Sequence, residues 1–249
     1  MIFQKRVSRC LLTMATVVTA AAAVAAVSIS ASRASAAGAP APPGLGAPGL
    51  HVRAGAAAPG PAGTCGYQAA IPADRFQGIP VFDAARAAQP FDVRFITTQG
   101  TITVRMLTAK APCTTFSFRF LASRGYFSKT HCHRLTIQRI YVLQCGDPTG
   151  TGAGGPGYAF NDENLAGATY PAGTVAMANA GPDTNGSQFF FTWKDTTLAP
   201  NYTPFGTVIS GMDVLQKIAA AGDDSQNNPG DGYPNLYTAF RAVKIIPTR

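Results

Sequence analysis

The chain has 249 residues, 46% of them hydrophobic and 13% charged, with 26 glycines and 19 prolines, enough to bury a sizeable core in one or two domains. The Gly and Pro are crowded unevenly, so the whole chain is not of low complexity, and it shows no collagen period, heptad array or solenoid repeat. The formal charge is +8, but four of the 20 basic residues (Lys5, Arg6, Arg9 and Arg33) precede residue 37; beyond it 16 bases face 12 acids, a scattered excess that argues against a nucleic-acid binder.

Residues 1–36 read as an export signal or an anchor. Lys5, Arg6 and Arg9 precede an uncharged, mostly apolar run from Cys10 to Ser32, and Ala34-Ser35-Ala36 supplies the small-residue pattern that signal peptidase cuts after. The run is long enough to span a bilayer. Its Ala/Ser-rich character favours cleavage, and the uncleaved alternative anchors the chain through residues 10–32. Both readings put the folded part outside the cytoplasm, secreted or at the cell surface.

Residues 37–63 are saturated with Ala, Pro and Gly and lack apolar periodicity, the composition of a semi-extended linker. Residues 64–90 form an N-terminal extension in which Cys65, Tyr67 and Phe76 offer contacts to the domain that follows. Beyond Cys10 there are four cysteines: Cys65, Cys113, Cys132 and Cys145. In an exported chain an even number points to two disulfides, with three possible pairings. Cys132 and Cys145 flank a hairpin pattern, which favours 132–145 with 65–113. The run His131-Cys132-His133 makes a poor metal site, because adjacent residues alternate faces on a strand and no C-x-x-C accompanies them.

The globular pattern begins at Phe91. Residues 92–98 and 101–106 alternate around Gln99-Gly100 as a β-hairpin. A helix starts near Pro112 and runs to Arg124, with Phe116, Phe120 and Leu121 on one face. Strand patterns follow at 131–137 and 140–145, then a Gly-rich loop from Gly146 to Gly157. Further strands are predicted at 174–178, 189–192 and 203–209, a helix at 212–220 and a last strand at 239–246. Many short strands with two helices suggest a mainly β fold, a closed antiparallel barrel plugged at its ends.

The segment Met177–Phe190 (MANAGPDTNGSQFF) resembles the central signature of the cyclophilins. His133-Arg134 with Gln144-x-Gly146-Asp147 is similar to that family's other active-site segment, and GTGAGGPGYAFNDEN over 150–164 to its Gly-rich turn. Phe205-Gly206-x-Val208 and Gly211-Met212-Asp213-Val214-Leu215 match the closing strand and helix. The resemblance covers about residues 91–249. It implies a cyclophilin-like closed eight-stranded antiparallel barrel capped by two α-helices, and peptidyl-prolyl cis/trans isomerase activity on proline-containing polypeptides, here exported proteins as they fold. Nothing in the sequence demands a cofactor or a metal, and a monomer is the expectation, with the oligomeric state left open by the sequence.

By the same resemblance Arg134 is the catalytic guanidinium, and Gln144 hydrogen-bonds substrate or steadies Arg134. Asn179 offers backbone groups to the residue before proline, and Gln188 lies beside the pocket. Tyr141, Val142, Phe190, Leu198 and Tyr202 line the proline site. Without the resemblance these residues have plainer readings: a strand Arg is usually a solvated or ion-paired surface group, the apolar residues are core, and Asn179 is a turn former. His133 reads as a structural hydrogen-bonder, not an acid or base.

The chain also departs from the family pattern. Nine residues separate Arg134 from Gln144, two more than usual, so the tip at Ile137–Arg139 diverges. Tyr141 stands where the family usually has Phe, Val142 where it has Met, Thr197 where it has Trp and Tyr202 where it has His. The missing indole argues against strong cyclosporin binding, and Trp193 stands four residues too early to replace it. A non-catalytic proline-peptide-binding or chaperone module on the same fold is the competing expectation.

Overall fold

A computed structural model describes residues 65–248. The expected export segment 1–36 and linker 37–63 lie outside them. Among the described residues, no helix is long and apolar enough to cross a membrane.

In chain order the elements are β1 (Gln68–Ala73), α1 (Ala84–Ala87), β2 (Phe91–Thr97), β3 (Thr101–Met106), α2 (Pro112–Ser123), β4 (Arg134–Thr136), β5 (Val142–Cys145), β6 (Pro156–Ala159), β7 (Thr174–Met177), β8 (Phe189–Thr192), β9 (Pro204–Ser210), α3 (Met212–Ala220), β10 (Asp231–Gly232) and β11 (Phe240–Pro247). Nine strands form one curled antiparallel sheet in the order β10-β4-β5-β8-β7-β9-β3-β2-β11. Eight of them run round the barrel, and the two-residue β10 is added outside β4. Residues before β4 close the seam against β11. His131 bridges Ala239, the Cys132 N–H donates to the Thr238 carbonyl at 2.9 Å, and the Phe240 N–H donates to that of Thr130 at 2.8 Å.

Period-two alternation selects the interior. Phe91, Val93 and Phe95 of β2, Leu135 of β4, Leu143 and Cys145 of β5, and Phe189 and Phe191 of β8 all point into the main core. The Phe95 ring sits with its centroid 5.2 to 5.9 Å from those of Phe118, Phe189, Phe191 and Phe240. Each such buried ring contributes about 1.5–3 kcal/mol of transfer free energy.

The two longer helices close the barrel through identifiable chemistry. At the start of α2, Ala111 provides no side-chain cap and Pro112 has no N–H to satisfy. Glu163 takes over: its carboxylate accepts from the N–H groups of Cys113 (3.0 Å) and Thr114 (2.8 Å) and from the Thr114 hydroxyl (2.8 Å). Helix α3 buries Val214, Leu215, Ile218 and Ala219 along one stripe. It is entered through Gly211 at φ 95°, where a Cβ would run into the Thr101 carbonyl, so only glycine fits.

Three local expectations are revised. The 131–137 strand is confined to Arg134–Thr136, because His131 and Cys132 pair with the β11 side of the seam instead of with β5. The 140–145 strand begins only at Val142. The end of the Gly-rich segment is itself a strand: β6 pairs antiparallel with β1 as a separate two-stranded sheet, so the 64–90 extension is built into the domain. Both disulfides form as favoured, Cys65–Cys113 tying that extension to α2 and Cys132–Cys145 bridging the two chains of the hairpin.

Candidate active site

The residues between those that enter the core face the other side of the sheet. On β4, β5, β8 and β7 the register aligns Arg134 with Gln144, Gln144 with Phe190, and Phe190 with Ala176. One row across four strands therefore passes from a guanidinium through an amide to an aromatic ring. The Cys132–Cys145 disulfide flanks the Arg134–Gln144 pair. Gly146 follows at φ 90°, in a place where any Cβ would overlap the Ser187 carbonyl, so the chain can turn there without displacing β8.

The apolar end of the row is a second cluster, separate from the barrel interior. Val142, Tyr170, Ala176, Ala178, Phe190 and Tyr202 are buried in it, with Ile140, Ala168 and Leu198 packed against them. Tyr202 meets Phe190 edge-on at 5.8 Å. Its backbone is fixed by Tyr170, whose hydroxyl donates to the Tyr202 carbonyl at 2.9 Å and accepts from its N–H at 3.1 Å.

The polar end is tightly organised. Arg134 donates from Nε and Nη2 to the two carboxylate oxygens of Asp231 at 2.8 and 2.7 Å, a fork-to-fork pair. Partial burial pushes the Asp231 carboxyl up, but hydrogen bonds from Arg134 and Asn227 outweigh this and hold it below its ordinary value. Gln188 donates through Nε2 to the carbonyls of Gly152 and Gly154, at 2.9 and 3.0 Å. Its Oε1 therefore faces Gln144, whose Nε2 donates to it at 2.9 Å. This leaves Gln144 Oε1 buried and without a partner among the described residues. The glycine-rich rim is anchored by the fully buried Asp147, which accepts from the N–H groups of Thr149 (2.7 Å) and Gly152 (2.6 Å).

Most of the residues expected in the site come together here. Arg134, Gln144, Gln188, Val142, Phe190, Leu198 and Tyr202 share this face or its edge. Asn179 lies just beyond β7, its side chain donating to the Asn201 carbonyl at 2.8 Å and accepting from the Gly181 N–H. Among the described residues no hydrogen bond joins Gln144 to Arg134, although the two stand opposite each other in the β4–β5 register; the partner of Arg134 is Asp231. Tyr141 is not brought to the apolar cluster. It precedes the first residue of β5, meets Trp193 edge-on at 5.0 Å and carries Lys194 4.5 Å above its ring, while Ile140 takes the place against the cluster. Trp193 packs towards the barrel interior and donates its indole N–H to the Thr136 carbonyl at 3.0 Å, and Thr197 is exposed.

His133 is buried, and burial lowers its pKa to about 4 against the opposing pull of Asp147, so it is neutral near pH 7. That excludes it as a cation beside Arg134. Among the described residues no group of three or more His, Cys, Asp or Glu could hold a metal ion. Sequence reasoning missed Asp231, Tyr170, Ala176 and Ala178. A strand arginine does call for a carboxylate, but nothing local singles out one 97 residues away among 12 acids.

Residues 92–234 match the family model described as cyclophilin type peptidyl-prolyl cis-trans isomerase/CLD. A protein named "Probable peptidyl-prolyl cis-trans isomerase B" from Mycobacterium tuberculosis is 49% identical over 144 residues, which cover 52% of this chain and 47% of that one. Its namesake from Mycobacterium leprae is 44% identical over 163 residues, covering 60% and 55%. The chain thus spans about half the length of these curated relatives. A crystal structure of a Cryptosporidium parvum cyclophilin type peptidyl-prolyl cis-trans isomerase superposes with a TM-score of 0.56 at 30% identity, over 64% of this chain and 99% of that chain. The same enzyme crystallised in the presence of the dipeptide Ala-Pro gives 0.55.

Proposed function

The chain belongs to the cyclophilin-type peptidyl-prolyl cis-trans isomerases, and from that premise we propose that it accelerates X–Pro isomerisation in exported polypeptides, with Arg134 as the catalytic group. The observation that carries this reading is the single row on one sheet face, in which a paired guanidinium and a buried amide adjoin the apolar cluster around Phe190.

The physical problem is the resonance of the amide C–N bond, which sets a rotation barrier of about 18–20 kcal/mol. Uncatalysed X–Pro exchange takes tens to hundreds of seconds. As the bond twists, resonance is lost, the nitrogen becomes pyramidal and basic, and the carbonyl rotates. Catalysis then needs no nucleophile and no proton abstraction. It needs an apolar seat that holds the proline ring while the rest turns, and a preorganised donor that is worth more to the twisted amide than to the planar one.

The cluster of Val142, Ala176, Phe190 and Tyr202 supports the first role. Arg134 supports the second. Of its five N–H groups, two are engaged by Asp231, which leaves three for the prolyl nitrogen or carbonyl. Gln144 Oε1, buried and unpartnered, is an acceptor suited to a substrate backbone N–H. Asn179, at the end of β7, is suited to the residue before proline. Two disulfides favour an oxidising, extracytoplasmic setting, where X–Pro isomerisation limits the folding of newly exported chains.

NMR exchange spectroscopy on a short X–Pro peptide tests the reading. The purified protein is expected to accelerate cis/trans exchange at sub-stoichiometric concentration, and Arg134→Ala to abolish the acceleration while still binding the peptide. Binding without acceleration in either protein would identify a peptide-holding module instead.

A further inference from the structure

Resting on the isomerase reading above, we propose that Asp231 is a positioning residue for Arg134, supplied by a C-terminal arm that the fold adds to the catalytic edge of the sheet. The arm runs from Asp223 to Asn235 between α3 and β11 and contains β10. It pairs antiparallel with β4, setting Asp231 opposite Thr136 and Gly232 opposite Leu135. Because Thr136 and Arg134 share a face, Asp231 is the diagonal cross-strand neighbour of Arg134.

The arm is built to hold that carboxylate still. Asn227 donates through Nδ2 to Asp231 Oδ1 at 3.1 Å. The Ile137 N–H donates to the Gly230 carbonyl at 2.9 Å, so the lengthened β4–β5 tip grips the arm. Asp224 Oδ1 accepts from the N–H groups of Gln226 (3.1 Å) and Tyr233 (2.8 Å). Tyr233 in turn donates its hydroxyl to the Gly150 carbonyl at 3.1 Å, joining the arm to the glycine-rich rim. The ion pair is shielded, with the Arg134 and Asp231 side chains 14% and 18% exposed.

Side-on pairing decides which part of the guanidinium is free. Nε and one Nη2 hydrogen point to Asp231, so both Nη1 hydrogens and the second Nη2 hydrogen remain for the substrate. Without Asp231 nothing else among the described residues accepts from this side chain. The guanidinium would then spread over several rotamers at the sheet edge, and the donor aimed at the twisting amide would lose its preorganisation. An interaction made mainly in the transition state shows up in kcat more than in KM.

The test compares wild type with Asp231→Ala, Asp231→Asn, Asp231→Glu and Asn227→Ala. Exchange rates are measured over a range of X–Pro peptide concentrations so that kcat and KM separate. The Arg134 Nε–H resonance reports the pair independently of activity. Asp231→Ala should lower kcat about tenfold with KM within about twofold, and the Arg134 Nε–H should broaden through solvent exchange. Asp231→Glu, which keeps a carboxylate, should recover more kcat than Asp231→Asn, and Asn227→Ala should fall between wild type and Asp231→Ala. An unchanged or raised kcat in Asp231→Ala, with wild type catalysing, overturns the positioning role and leaves the isomerase reading standing. Failure of wild type to accelerate exchange overturns both. Should Asp231→Ala not fold, a wild-type kcat in both Asn227→Ala and Asp231→Asn overturns the proposal equally.

Discussion

Gln144 and Gln188 share one hydrogen bond, 2.9 Å from Nε2 to Oε1, across the seam between β5 and the loop that enters β8. Through it the amide beside Arg134 is coupled to the glycine-rich rim, because Gln188 spends both its other bonds on Gly152 and Gly154. Replacing Gln188 by Leu removes all three bonds and strands a buried donor on Gln144. A loss of about 1–3 kcal/mol in stability is expected from unmade hydrogen bonds, with a raised KM as the rim loosens. Urea unfolding and concentration-dependent exchange measure the two effects.

Arg134→Lys is the sharper test of how the guanidinium works. Lysine keeps the charge but loses the planar fork, so it cannot hold Asp231 with two parallel bonds and still present an oriented donor. Exchange catalysis is expected to fall about 10- to 100-fold, with peptide affinity nearly retained. Near-wild-type turnover in Arg134→Lys would mean that charge alone suffices.

Acid should destabilise the domain through His133. Burial depresses its pKa in the folded state from 6.5 to about 4, so the unfolded chain binds the proton more readily. Stability is complete above about pH 6.5 and is lost as pH falls from there towards about 4, by roughly 3 kcal/mol at the limit. The charges near the ring divide, Asp147 favouring its protonation and His131 and Arg134 opposing it. Thermal unfolding between pH 7 and 4 should show this slope, and His133→Gln should flatten it.

The two disulfides should separate stability from activity. Cys65–Cys113 closes 48 residues of sequence and Cys132–Cys145 closes 13, so chain entropy assigns about 4 and about 3 kcal/mol to them respectively. Converting Cys65 and Cys113 to Ala should cost more stability but leave kcat nearly unchanged, since that link ties the extension to α2. Converting Cys132 and Cys145 should cost less stability and lower kcat, because it frees the strands that hold Arg134 against Gln144 in register. Equal effects on kcat would show that the second link is not needed for the site.

The segments that the sequence determined by itself are those whose signal is local. Phe189–Thr192 and Met212–Ala220 occur with the expected bounds, since an unbroken aromatic strand and an amphipathic helix opened by Gly211 need no distant partner to be recognised. The row Arg134, Gln144, Phe190 was legible through its motifs, and the Cys132–Cys145 pairing through the hairpin between its members. What only the tertiary structure decided depends on contacts between residues far apart in the chain. Whether Tyr141 or Ile140 meets the apolar cluster around Phe190 depends on where the β5 pleat begins, which pairing with β8 sets at Val142. The pairing of β1 with β6 is likewise invisible to periodicity in either strand. The partner of Arg134 lies 97 residues downstream on a strand of only two residues, and local propensity carries no information about which acid a folded sheet edge will bring to it.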